Sequence, residues 1–265
     1  MDAHVHFHPC FGDDEFLSAA DSAFRVAGRE LGVDRATGVL MFAETSGSHE
    51  FRRLQGSAGG LVGEWRLRAT EEGFSLVAER GRDLLLLAAG RQLRTVERLE
   101  VLALGVDRDL PEGQRLRDTL DAVREADGLA VIPWGFGKWR FGRGRLLSRT
   151  MRTADTDGLF VGDNGTRPAG LGRPRIFEFA EALAIPNLPG SDPFPFPDHV
   201  RRVGTCGTLL SLHGLDAAWP ISDLKRHLCF GSVKMQPYGS RRAFGAFCFD
   251  QARLGLKRIA GVLGG

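Results

Sequence analysis

Asp2-Ala3-His4-Val5-His6-Phe7-His8 is the stretch whose reading decides the fold. With a strand's period of two, His4, His6 and His8 share one face while Ala3, Val5 and Phe7 share the other. Same-face neighbours lie about 7 Å apart at Cα, so the three imidazoles can converge on one ion. Neutral imidazole is the commonest protein ligand for zinc and similar divalent metals. Asp2 can ligate as well, or orient a histidine through a hydrogen bond. Histidines near a terminus can also be surface residues or a tag remnant. Here they alternate with apolar residues and run without a linker into Pro9-Cys10-Phe11, which argues against a tag. The stretch therefore predicts a metal site at the end of a first strand.

Downstream, residues 13–31 carry Phe16, Leu17, Ala20, Phe24 and Ala27 at helical spacing, and the helix is expected to end near Gly32. Residues 37–43 read as a buried strand that delivers Glu44 and Thr45 to its end. Residues 46–63 read as an excursion with His49 and Glu50 heading a short helix. From 64 to 105 the period changes to two or to continuous apolar runs, 65–69, 74–78, 84–89 and 99–104, separated by turns at Glu72-Gly73 and Gly81. These are expected to form antiparallel hairpins.

An amphipathic helix is predicted over 111–126. Beyond it strand and helix alternate: strands at 129–133, 158–162 and 185–190, helices at 145–152 and 176–183, a further strand within 203–212 and a last helix near 249–262. Alternation with glycines at strand ends marks parallel β/α units.

At 265 residues, 43% hydrophobic and 26% charged, the chain has the composition of a globular protein with a substantial core. A formal charge of +2 gives no reason to invoke nucleic acid or a membrane. Of 35 basic residues only four are lysine, and arginine suits planar oxyanions. With no secretory signal or membrane-length apolar run, a cytoplasmic location is expected. Cys10, Cys206, Cys229 and Cys248 form no close pair. Small buried thiols are expected, with Cys10 a possible metal neighbour.

In parallel β/α architectures functional side chains gather at the C-terminal ends of strands. That rule collects His4, His6, His8, Glu44, Gln92, Glu100, Trp134 with Lys138, Asp163 with Asn164 and Arg167, and Asp192. Nitrogen and oxygen ligands beside cations are what a metal-dependent hydrolase needs. Pro189-Gly190-Ser191-Asp192-Pro193 presents a carboxylate at a strand end; it is also an ordinary turn sequence. Residues 134–145, Trp-Gly-Phe-Gly-Lys-Trp-Arg-Phe-Gly-Arg-Gly-Arg, combine glycines that let amides approach an anion, four cations and aromatic rings able to stack on a base. A solvated arginine-rich loop reads the same way. There is no Gly-x-Ser-x-Gly elbow, and His199, His213 and His227 read as surface or capping residues.

At these motifs the chain resembles the PHP superfamily, the metal-dependent phosphoesterases named for polymerase-associated and histidinol-phosphatase domains, through most of residues 1–205. Asp2-Ala3-His4-Val5-His6 resembles the family's opening Asp-x-His-x-His. Ala43-Glu44-Thr45 stands where Thr-Asp-His is usual, and Gln92 stands for a glutamate. Glu100 and Trp134 replace histidines. Leu159 to Asn164 resembles a strand ending in asparagine. Gly190-Ser191-Asp192 resembles the closing Gly-Ser-Asp-x-His, with Phe194 in place of its histidine. Met1 alone precedes Asp2, so the resemblance suggests a truncated start. The amidohydrolase barrels share an opening His-x-His and a late aspartate, but their lysine and further histidines find no counterpart.

The resemblance implies a distorted (β/α) TIM-like barrel over 1–212 with an inserted β-hairpin region, and a C-terminal extension over 213–265. It implies one or two divalent ions (zinc, manganese or iron) held by His4, His6, Glu100 and Asp192. Asp192 or Glu44 would act as base, and Lys138, Arg140, Arg143, Arg167, Trp134 and Asn164 would bind an anion. The expected activity is phosphoester hydrolysis of a small anionic molecule, with neither nucleic acid nor membrane as partner. The alternatives are a catalytically degenerate module binding metal or an anion, and an amidohydrolase-type C–N hydrolase.

Overall fold

The computed structural model describes residues 1–230 and 233–263. Its strands form three sheets. In the first, β1 (Asp2–Val5), β2 (Gly38–Phe42) and β6 (Asp83–Ala88) run parallel. It continues antiparallel through β5 (Ser75–Arg80), β4 (Trp65–Ala69) and β3 (Leu61–Val62), giving the order β1-β2-β6-β5-β4-β3. The second sheet has the order β10-β9-β8-β7, with β10 (Leu159–Gly162) and β9 (Leu129–Pro133) parallel. Its strands β8 (Glu100–Leu104) and β7 (Gly90–Arg94) are antiparallel. The third pairs β11 (Cys206–Leu210) with β12 (Met235–Gly239). Helices are α1 (Asp13–Glu30), α2 (Glu50–Gln55), α3 (Leu116–Glu125), α4 (Phe141–Thr153), α5 (Arg175–Ala182), α6 (Pro220–Phe230) and α7 (Phe244–Leu263). Among the described residues no helix is long and apolar enough to cross a membrane.

The apolar pattern explains the layering. On β2, Leu40 and Phe42 pack with Phe16, Leu17 and Phe24 of α1, while Val39 and Met41 point the other way. There they join Leu86 of β6, Leu102 of β8, Val131 of β9 and Phe160 of β10 in one cluster. Strands covered on both faces read as continuous apolar runs, which is why 37–43 and 84–89 show no polar alternation. Helix α1 carries Asp13, Asp14 and Glu15 in its first turn, where the helix dipole favours negative charge. Helix α3 begins five residues later than its sequence suggests, because Gly113 adopts a left-handed φ of 70° that an α-helix cannot include.

The expected TIM-like barrel is not formed. Between residues 61 and 104 the strands turn back in antiparallel hairpins instead of crossing over through helices. The seams between the two large sheets carry single bridges, Glu44 to Arg91 on one side and Asn187 and Gly190 to β10 and its end on the other. Residues 185–190, expected as a strand, form no ladder. Pro186 and Pro189 lack the N–H groups that one would need.

That segment nonetheless lies between β10 and β1. Leu188 N–H donates to Val161 O (2.8 Å), Ala3 N–H to Pro189 O (3.2 Å) and Asp192 N–H to His4 O (2.9 Å). The approach depends on Gly190, where a Cβ would stand 2.3 Å from the backbone nitrogen of His4, far inside contact distance.

Candidate metal centre

The first strand is pinned by its own carboxylate. Asp2 is fully buried and accepts hydrogen bonds from the backbone N–H groups of Ser191 (2.9 Å), Gly204 (2.9 Å) and His4 (3.2 Å). Burial raises its pKa despite these donors. Its oxygens are occupied in tying residues 191 and 204 to β1, so it serves as a clamp and is absent from the ligand cluster.

His4, His6 and His8 do line one face. The rings of His4 and His6 meet edge-on with centroids 4.9 Å apart, and those of His6 and His8 stack at 5.5 Å. His4 and His6 bring their Nε2 atoms to 3.0 Å, and Asp192 Oδ1 lies 3.6 Å from each. Gln92 Oε1 stands 3.1 Å from His4 Nε2. Donors held about 2.0–2.1 Å from a tetrahedral ion lie roughly 3.3 Å from one another. The observed separations therefore fit a divalent ion, and a set of two imidazoles with carboxylate and amide oxygens suits zinc, manganese or iron. His4 Nδ1 is buried without a partner among the described residues.

Each ligand is held. Asp192 sits at a left-handed φ of 48°, rare for a residue with a side chain and commoner for aspartate than most. Its Oδ2 accepts hydrogen bonds from Asn164 Nδ2 (3.0 Å) and Thr166 Oγ1 (3.1 Å), leaving Oδ1 to the imidazoles. Burial opposes its charge, yet its neighbours, among them His4, Thr166 and Lys138, hold its pKa below the ordinary aspartate value. Burial lowers the pKa of His6 to about 3 and also lowers that of His8, so both rings are neutral ligands or bases at pH 7. His8 Nε2 lies 2.9 Å from Pro193 O, which fixes the proton on that nitrogen.

Other expected site residues are engaged elsewhere. Glu100 pairs with Lys138 and is not part of the His4–His6–Asp192 group. Glu44 accepts from Phe51 N–H at the start of α2 (2.7 Å) and from Arg91 Nη1 (3.1 Å). Burial raises its pKa, against the pull of Phe51 and Arg91. Arg167 is wholly buried, gripping Asp163 through Nε and Nη2 at 2.6 Å each. Asn164 orients Asp192 and also donates to Trp134 O (2.9 Å). Arg143 secures the loop through Gly137 O (3.0 Å), and Arg140 is exposed.

Two residues carry more than their sequence context suggested. Thr166, which no motif marks, bonds to both Asn164 Oδ1 (2.9 Å) and Asp192 Oδ2 (3.1 Å). His199, expected at the surface, is buried beside Asp250, its Nε2 3.2 Å from Asp250 Oδ1, while Phe194 N–H donates to its Nδ1 (3.0 Å).

Beside the cluster, from Trp134 along α4 to α5 and the start of α7, runs a groove of about 1280 Å³. Six arginines, Arg140, Arg145, Arg149, Arg152, Arg167 and Arg175, line it, and no carboxylate does. A near-neutral total charge conceals this local excess.

No family model matches the chain, and no curated protein sequence matches it. Solved structures do. PsfC from Pseudomonas syringae PB-5123 is similar at 16% identity, with 90% of each chain covered and a TM-score of 0.56. The lesion-specific endonuclease PfuEndoQ from Pyrococcus furiosus is similar at 12% identity and a TM-score of 0.52. That alignment covers 88% of this chain and 56% of the endonuclease, so the chain spans little more than half its length. An Endonuclease Q complex with a 27-mer duplex carrying an abasic lesion gives 12% identity and a TM-score of 0.48. The expectation of a small anionic substrate, with nucleic acid excluded, does not stand beside an endonuclease neighbour and an arginine-lined groove. Over about nine-tenths of its length the chain has the fold shared by PsfC and the Pyrococcus endonuclease.

Proposed function

We propose that this chain is a PHP-like, divalent-metal-dependent phosphoesterase acting on phosphodiester bonds. The observation that carries the reading is the convergence of His4 Nε2, His6 Nε2 and Asp192 Oδ1 at separations of 3.0 to 3.6 Å, beside a groove lined by cations. The endonuclease among the similar folds makes nucleic acid the first substrate class to test. Cys10 is exposed and outside the ligand group, which supports a site of nitrogen and oxygen donors only.

In this reading His4, His6 and Asp192 hold one ion, with the Gln92 amide oxygen beside them. An ion there supplies Lewis acidity toward a phosphoryl oxygen and lowers the pKa of water toward neutrality. Asn164 and Thr166 keep Asp192 aimed with a single oxygen inward. Lys138, steadied by Glu100, offsets negative charge gathering at the phosphoryl group. His8, neutral and stacked on His6, takes or returns a proton at Nδ1, since its Nε2 is held by Pro193 O. Glu44 is left out of the chemistry because both its oxygens are engaged by Phe51 and Arg91.

The test is elemental analysis with hydrolysis of bis(p-nitrophenyl) phosphate after reconstitution with zinc, manganese or iron. About one equivalent of metal per chain, lost together with turnover in His4→Ala and Asp192→Asn, is the expected result. Failure to retain any of the three metals would sink the reading.

A further inference from the structure

The groove alongside α4 has features that the hydrolytic cluster does not use. Arg145, Arg149 and Arg152 occupy positions i, i+4 and i+7 of that helix, so they share one face. Like charges at this spacing repel one another. Arg140, Arg145, Arg149, Arg152 and Arg175 are all exposed and have no carboxylate within ion-pairing distance among the described residues. An uncompensated cationic face attracts anions electrostatically.

Aromatic groups accompany the charge. Phe141, at the head of α4, is 85% exposed and holds a left-handed φ of 55°. That is an outlier for a bulky residue, and such strain marks sites where a side chain's position matters. Phe136 and Phe244 on the same groove are 60% and 59% exposed. Trp139, 8% exposed, borders it with an indole N–H that has no acceptor among the described residues.

At about 1280 Å³ the groove exceeds the roughly 300–1,000 Å³ of small-molecule pockets. Its inner end is Trp134, whose carbonyl accepts from the same Asn164 that orients Asp192.

We propose that this groove is a track for single-stranded nucleic acid, in which the α4 arginines follow the phosphates and the exposed phenylalanines stack on unpaired bases. Successive aromatic platforms within a basic groove suit unstacked bases, whose faces a duplex keeps hidden. The proposal rests on the phosphoesterase reading only for its destination, the metal cluster. Binding along the track needs no metal.

The test is fluorescence anisotropy of the full chain with 5′-labelled oligo(dT) of twelve nucleotides, in EDTA, across a salt series. Wild type is expected to bind it more tightly than a duplex of equal length. Replacing Arg145, Arg149 and Arg152 together by Ala should reduce the slope of log affinity against log salt by about two. Phe141→Gly separates binding from folding, since glycine accepts the left-handed φ without strain. It should weaken oligo(dT) binding about tenfold, leave heparin binding unchanged, and hold or raise Tm. Preference for duplex, a triple variant that binds like wild type, or a Phe141→Gly effect equal on heparin and oligo(dT) would each overturn the track. Because metal is absent throughout, loss of hydrolysis leaves this result standing. Loss of oligo(dT) binding equally leaves the metal cluster untouched.

Discussion

Replacing Asn164 with leucine, close to it in shape, tests whether the orientation of Asp192 is what builds the metal centre. The substitution removes two donated hydrogen bonds, one to the Asp192 carboxylate (3.0 Å) and one to Trp134 O (2.9 Å), and the acceptor of Thr166 Oγ1 (2.9 Å). A bond to a charged group contributes about 1.5–3 kcal/mol and a neutral one about 0.5–1.5. The metal-free chain should therefore lose roughly 3 kcal/mol, or on the order of 10 °C in Tm for a domain of this size. Hydrogen bonds to ligands from outside the coordination sphere typically govern 10- to 100-fold in metal affinity. Thr166→Val, which removes only the bond to Asp192 at 3.1 Å and that to Asn164, should fall between wild type and Asn164→Leu on both scales. Melting followed by fluorescence gives the stability, and competition with a chelating dye gives the metal affinity. An Asn164→Leu protein that melts lower yet binds zinc or manganese as tightly as wild type would refute the reasoning, since Asp192 would then not depend on its support.

Two further outcomes are expected. Glu44→Ala should leave metal affinity unchanged while costing about 1.5–3 kcal/mol, the range for a hydrogen bond to a charged group, because Arg91 keeps Asp109 (3.3 Å) and Ser48 O (2.8 Å) as partners; urea unfolding and dye competition check both halves. Burial lowers the pKa of His199 below the ordinary histidine value, against the pull of Asp250, so in acid the unfolded chain takes up a proton that the folded one resists. Stability should therefore fall as pH drops below about 6.5, the ordinary histidine value. The slope between pH 5 and 7 should flatten in His199→Gln, and an unchanged slope would assign the effect to another group.

Much of the centre was legible because its donors sit in short motifs with unusual residue types. His4 and His6 stand out by period, and Asp192 by its Gly-Ser-Asp corner. Their meeting depends on Gly190, a close approach that becomes visible only once β1 lies beside the 187–192 segment. Glu100 was attractive as an oxygen ligand at a strand end, but a lysine thirty-eight positions later pairs with it, and charge pairing over that span leaves no trace in local pattern. Thr166 had no signal at all. The barrel expectation failed for local reasons: the strands between residues 61 and 104 pair in antiparallel hairpins, and Pro186 and Pro189 deny the 185–190 segment a ladder. Net charge misled because it averages the α4 arginines with acids placed elsewhere on the chain.

The clamp made by Asp2 also bears on how the protein is born. Residue 2 is made well before two of its partners, Ser191 and Gly204, which lie 189 and 202 positions downstream. Closing contacts over such spans carries a large entropic penalty and comes late in folding. Until the 187–204 stretch has been synthesised, the first strand has β2 to pair with but nothing to seal its other edge, and the histidines have no carboxylate to meet. Metal acquisition is therefore expected to follow translation, and its completion to report that the two distant parts of the chain have joined.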